Sequence, residues 1–135
     1  MHRFQVRVYY EDTDLAGIVY YANYLRFIER GRSEWLRDLG IDQVALKAEG
    51  LVFAVRRVEA DYLQPAKYDD LLEVHSSLRT QSPARMVLHQ EVRRGEVLLF
   101  AADVTLVAIG EDGRPRRLPA ALVTRMAAAA DPGKA

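Results

Sequence analysis

Residues 9–36 read YYEDTDLAGIVYYANYLRFIERGRSEWL, joining a strand end, a carboxylate-rich turn and an amphipathic helix in one run. Just upstream, Phe4, Val6, Val8 and Tyr10 alternate with Arg3, Gln5, Arg7 and Tyr9, the period of two expected of a strand with one buried face. The alternation predicts a strand ending at Glu11, with Tyr10 on its apolar face. Asp12, Thr13 and Asp14 suit a turn, and Gly17 supplies backbone angles closed to other residues, so Asp14 falls on a loop. A helix should then begin near Ala22 or Asn23, with Asn23 as its N-cap. Its apolar stripe is Tyr24, Phe27, Ile28, Gly31, Trp35 and Leu39, and Gly40 stops it. The start of such a helix presents N–H groups without intrahelical partners and a partial positive charge. A carbonyl oxygen placed there is polarised, and the Tyr21 N–H is the natural donor.

Working outward, Asp42 can cap a short second helix running through Lys47, and Gly50 ends it. The remainder reads as sheet. Residues 52–63 and 71–80 form two strands joined around Pro65, and residues 85–94 and 97–109 form a hairpin about Gly95 and Glu96. With the first strand that makes five. Pro119 can open a terminal helix through Met126, and the alanine-rich tail after about residue 127 should fray. One long helix covering a five-stranded, largely antiparallel sheet is an α+β layer arrangement, and residues 1–135 are expected to form a single domain.

Composition narrows the function. The chain has 19 basic and 19 acidic residues, a formal net charge of zero, which gives no support to a nucleic-acid binder. It has no cysteine, which excludes disulfides, thiolate nucleophiles and cysteine-ligated zinc. The opening MHRFQVRVYY lacks the apolar core of a signal peptide, and no apolar run approaches the ~20 residues of a membrane helix, so a cytoplasmic location is expected. His2, His75 and His89 fall on a terminus and two separate strands, without the close spacing of a zinc helix, and no metal is expected.

The same segment resembles the signature of hotdog-fold acyl-CoA thioesterases, in the branch of the 4-hydroxybenzoyl-CoA and Tol-Pal-associated thioesterases. The resemblance rests on the Tyr-Glu-Asp-Thr-Asp-x-x-Gly run from Tyr10 to Gly17, the Val19-Tyr20-Tyr21 step, and the Asn23-Tyr24 pair that opens the family's central helix. It continues in DYLQPAKYDDLLEV, from Asp61 to Val74, and covers nearly the whole chain. Tol-Pal-associated members often carry His where this chain has Tyr21, whereas hydroxybenzoyl-type members carry Tyr. Chemistry by a His at that position is therefore not available here.

The resemblance implies that Asp14 is the catalytic carboxylate, acting as nucleophile on the thioester carbon or as base for an attacking water. It implies no metal or organic cofactor. The Tyr21 backbone N–H should hold the thioester oxygen, while Tyr20, Tyr21 and Tyr24 shape the acyl end, with Tyr10 and Gly17 beside them. Among arginines that could clamp coenzyme A phosphates, Arg85 is selected, because it follows Ser82-Pro83-Ala84 at a strand start where the family places basic residues. Glu11 and Asp12 are assigned to structure, Asp12 orienting the loop.

Two other readings fit parts of the chain. Asp12-Thr13-Asp14 after an apolar strand matches the Asp-x-Asp nucleophile of haloacid dehalogenase-type phosphatases, but that chemistry sits on a doubly wound sheet of repeated strand–helix units. A non-catalytic acyl-CoA-binding protein could keep the same groove, since fold does not fix function. The acyl-CoA hydrolase reading also implies a homo-oligomer with sites between protomers. Leu51 to Val55, LVFAV, carries no proline, charge or bulge to blunt a sheet edge, so it should be paired in a homodimer at least, with a tetramer as the expected final state.

Overall fold

The computed structural model describes residues 1–129, so the expected frayed tail lies mostly outside the described residues. Strand β1 spans His2–Arg7 and stops short of Glu11. The cause is Asp12. Its Oδ2 accepts the Tyr9 N–H at 2.8 Å while the Asp12 N–H donates to the Tyr9 carbonyl at 3.0 Å, winding Tyr10–Asp12 into one 3₁₀ turn. Alternation carries Val6 and Val8 into the core but ends before Tyr10, which is 83% exposed; its expected place on the apolar face is corrected. A local side-chain acceptor outcompetes the strand ladder here.

Helix α1, Asn23–Asp38, buries Tyr24, Phe27, Ile28, Gly31, Trp35 and Leu36. Asn23 is its first helical residue rather than its N-cap. Ala22 holds the cap position without a side-chain bond, and the Asn23 amide instead donates to the Asp12 carbonyl at 2.9 Å. Helix α2, Gln43–Ala48, is capped as expected, Asp42 Oδ1 accepting from the Val44 and Ala45 N–H groups at 3.0 Å each.

Strands β2 (Leu51–Tyr62), β3 (Leu71–Gln81), β4 (Arg85–Arg94) and β5 (Val97–Gly110) join β1 in the order β1-β3-β4-β5-β2, each neighbouring pair antiparallel. Of these five strands, β3, β4 and β5 follow one another as hairpins. β2 and β3, consecutive in sequence, are separated by two strands, so residues 63–70 form a crossing rather than a turn. The parallel, doubly wound sheet of an Asp-x-Asp phosphatase is not this architecture. A sixth strand absent from the expected five, β6 (Pro115–Arg116), pairs with Ala108 and Ile109 of β5, and helix α3, Ala120–Ala128, follows it.

The sheet's inner face presents Leu72 and Val74, Met86, Leu88 and Val92, and Phe100, Ala102, Val104 and Leu106 to the α1 stripe. Helix and sheet approach closely at Gly31, where an added Cβ would lie 2.6 Å from Val74 Cγ1. Two polar residues share this buried face. The Gln90 Nε2 donates to the Ile28 carbonyl at 2.9 Å and to Ser76 Oγ at 2.8 Å, while its Oε1 accepts from Arg32 Nη1 at 3.0 Å, so the amide is satisfied where it is buried. A twisted antiparallel sheet wrapped around one long helix is the hotdog fold. At its β2 edge the Leu51–Ala54 stretch is half-buried and the rest of the strand exposed, and the ladder slips between Val55 and Arg57, just past LVFAV.

Candidate active site

Asp14 sits in a tight loop that the chain closes on itself. Thr13 bridges Val19, the Asp14 N–H donates to the Ile18 carbonyl at 2.9 Å, and the Gly17 N–H donates to the Asp14 carbonyl at 3.0 Å. Gly17 takes φ +80°, the left-handed angle that a glycine adopts without penalty, so its expected role in the turn holds. The carboxylate itself accepts the Ala16 N–H through Oδ1 at 2.9 Å and is otherwise exposed. One oxygen is thus fixed and the other is open to a substrate.

The loop is anchored from two sides. Residues 65–67 of the crossing hold it through the Ile18–Lys67 bridge and the Val19 N–H to Ala66 carbonyl bond of 2.9 Å. The Asp12 carbonyl accepts both the Tyr20 N–H (2.9 Å) and the Asn23 amide, tying the loop to the start of α1. In turn Arg94 braces the crossing, its Nη1 donating to Asp70 Oδ2 at 2.9 Å and to the Pro65 carbonyl at 3.4 Å. Asp12 therefore orients the loop, as expected.

At the start of α1 the Tyr21 N–H meets no acceptor among the described residues. It is an exposed, unpaired donor at the positive end of a helix. Around it stands a group of tyrosines. Tyr20 and Tyr21 rings lie 4.9 Å apart, Tyr21 and Tyr62 rings 6.2 Å, and the Tyr62 hydroxyl donates to the Tyr21 carbonyl at 3.0 Å. The Tyr20 phenol is held above its ordinary pKa, first by a hydrogen bond and charge from Tyr21, then by burial, and also by the charge of Asp14, which puts Asp14 within electrostatic reach of this group. Burial, and then Tyr21, raise the Tyr62 phenol as well.

The expected site residues separate into three groups. Asp14, Gly17, Tyr20 and Tyr21 are brought together. Tyr24 is not part of their open surface. It is 3% exposed, its ring stacked 5.1 Å from Phe100, and its hydroxyl accepts the Ala66 N–H at 3.0 Å. Burial raises its pKa more than that bond lowers it. Its assignment to the acyl surface is corrected to support of the crossing. Tyr10 and Arg85 lie apart. Tyr10 packs edge-on against Tyr68 at 6.4 Å, lining a separate groove with Arg7 and Tyr9. Arg85 stands at the opposite end of β4 from Arg94, about 30 Å away along a ten-residue strand. Sequence reasoning missed Tyr62 and Arg94, and the Tyr62 signal was its place in the DYLQPAKY stretch. No cluster of side chains suited to a metal ion occurs among the described residues, and no helix there is long and apolar enough to cross a membrane.

Residues 16–101 match the family described as the thioesterase superfamily. An acyl-CoA thioester hydrolase, YbgC, of Escherichia coli O6:H1 is 40% identical over 125 residues, which cover 91% of this chain and 93% of the relative. The crystal structure of a probable thioesterase from Bartonella henselae superposes with a TM-score of 0.83 at 45% identity, covering 87% of this chain and 98% of that one. A 1,4-dihydroxy-2-naphthoyl-CoA thioesterase from Synechocystis shares the fold at a TM-score of 0.88 and 23% identity, covering 97% and 98% of the two chains.

Proposed function

The chain belongs to the thioesterase superfamily and is a thioester hydrolase, and on that premise we propose that it hydrolyses acyl-coenzyme A through Asp14 and the Tyr21 N–H. The observation that carries the assignment is the unpaired Tyr21 N–H at the start of α1, beside a loop that fixes one Asp14 oxygen and leaves the other free. The free oxygen adds to the thioester carbon, or takes a proton from a water that does so. Negative charge then gathers on the carbonyl oxygen, where the N–H and the helix dipole stabilise it. The carbon–sulfur bond breaks and coenzyme A leaves as a thiolate that takes up a proton. On the covalent route a single water then opens the Asp14 anhydride and restores the carboxylate. In either case one water is consumed and a carboxylic acid and free coenzyme A are released.

Tyr20 and Tyr21 border the acyl group, with Gly17 keeping the turn beside it. Tyr10 lines a separate groove and Arg85 lies at the far end of β4, so they serve the nucleotide end, Arg85 from a second protomer. That arrangement needs a homodimer joined at the β2 edges, which leave a row of backbone groups without strand partners among the described residues. Tetramers then form from dimers. The substrate also sets a cytoplasmic location.

A panel of acyl-CoA thioesters assayed for thiol release tests the activity. Release with any member supports it, and no release across the panel overturns it. Sedimentation at micromolar concentration tests the assembly, and a fully active monomer would refute the shared site.

A further inference from the structure

A groove of about 400 Å³ runs between α1 and β2, lined by Leu25, Arg26, Ile28, Glu29 and Arg32 on the helix and by Val55 and Val58 on the strand. It lies between the same two elements that meet at the candidate site: the Tyr21 and Tyr62 rings, 6.2 Å apart, join the start of α1 to the end of β2, and Leu25, Val55 and Val58 line the groove further along those elements. Arg32 stands at the far end. The residue is half-buried, yet it spends one N–H on Gln90, at 3.0 Å, and no carboxylate comes within 4.0 Å of it among the described residues. Glu29, one turn away, accepts instead from the Ser33 hydroxyl at 3.3 Å.

An arginine has five N–H donors, and burying its charge without an anion is costly. Gln90 explains one of those donors. A neutral residue of similar length would fill the groove wall at lower cost, so the remaining donors, partly desolvated beside valines and a leucine, call for an anionic group that enters with the ligand. Burial also holds the Arg32 pKa below its ordinary value, with Glu29 opposing, as expected for a cation lacking a close counter-charge.

Resting on the acyl-coenzyme A reading above, we propose that this groove takes the acyl chain and that Arg32 binds a carboxylate at the chain's far end, making ω-carboxyacyl thioesters the preferred substrates. Length follows from the helix. Eleven residues from Tyr21 to Arg32 span about 16 Å, and a helical arginine leans back toward the N-terminus, which shortens the gap to roughly 10 Å. About six to ten carbons of extended chain bridge that distance. Shorter diacids fall short of Arg32, and plain acyl chains leave it unpaired.

The test is kcat/KM for matched straight-chain acyl-CoA and ω-carboxyacyl-CoA pairs of four to twelve carbons, read as the carboxy-to-plain ratio at each length. The wild-type protein should favour the carboxy member by about 10-fold or more, the scale of a charge-assisted hydrogen bond, with a maximum inside the six-to-ten-carbon window. Arg32→Met should bring the ratio to about one. Because that change also breaks the bond to Gln90, Arg32→Lys provides a second arm: it too alters the contact with Gln90 but keeps a positive charge, and it should retain a carboxy preference that Arg32→Met loses. Hydrolysis of plain acyl-CoA with a ratio near one at every length overturns the proposal and leaves the thioesterase reading standing. So does a preference that survives Arg32→Met. Hydrolysis of no member overturns both.

Discussion

The Tyr62 hydroxyl donates to the Tyr21 carbonyl at 3.0 Å, linking the end of β2 to the residue whose own N–H is left unpaired at the start of α1. Residues 41 apart in sequence thereby fix the Tyr21–Ala22 peptide, next to the one that carries the Tyr21 N–H. Tyr62→Phe keeps the ring contacts with Tyr24 and Phe100 and removes only this bond. Turnover should fall by roughly 2- to 10-fold with little change in KM, the net scale of one hydrogen bond. Tyr21→Phe leaves the backbone donor in place and should cost less. Steady-state kinetics of both variants check this, and a larger loss in Tyr21→Phe would assign the chemistry to its hydroxyl.

Asp14 should dominate every other carboxylate. Asp14→Asn can still accept the Ala16 N–H, so the loop should hold while the charge is lost, and turnover should drop by about 100-fold or more. Asp12→Asn retains an oxygen for the Tyr9 N–H and should lose far less. Thiol-release assays on the two variants, with thermal melts to confirm folding, decide the matter; equal losses would point to a shared structural role.

Gly31→Ala sets helix propensity against packing. Alanine gains about 1 kcal/mol in a helix interior, whereas its Cβ would meet Val74 Cγ1 at 2.6 Å, and overpacking costs about 1–3 kcal/mol. Packing should win. A denaturant melt should show the variant less stable than the wild type, and a more stable variant would mean that α1 can lift off the sheet freely.

The outer sheet face sets the acid response. Burial pushes the Glu91 carboxyl up, but hydrogen bonds from His89 (3.0 Å) and Arg93 (2.8 Å), with their charges, outweigh it and hold the pKa below the ordinary value. His89 also meets Asp103 at 2.9 Å, and His75 stands opposite Glu91 on β3. A carboxyl whose folded pKa is depressed contributes stability above its unfolded value, about 4.3, and loses it as pH falls through the lower folded value. Glu91→Gln should therefore be less stable at neutral pH and lose less on acidification. Melting temperatures from pH 7 to pH 3 test this, and parallel curves for the two proteins would exclude Glu91 from the acid limb.

Local rules were enough for the elements themselves. The alternation in residues 85–109, the 3.6-residue stripe from Tyr24 and the Asp42 cap each depend on neighbours a few positions away, and each appears in the structure within a residue or two. The turn at Gly17 and the placing of Asp14 on it were legible for the same reason, since a positive φ favours glycine wherever it occurs. The reading failed where a side chain had two uses. Asn23 could cap the helix or reach Asp12, and Tyr24 could face ligand or core, and a sequence does not rank such options.

By itself, then, the sequence determined one long helix, a largely antiparallel sheet and a carboxylate on a turn before the helix, because periodicity, capping and turn preference act over a few residues. Only the tertiary structure decided the strand order that puts β2 at an edge, the removal of Tyr24 into the core, the distance of Arg85, and the pairing of Tyr62 with Tyr21. Those outcomes turn on contacts between residues far apart in sequence, 41 for Tyr62 and Tyr21 and 42 for Tyr24 and Ala66. They are settled by which surfaces the folded chain can bury together, a competition among all segments at once.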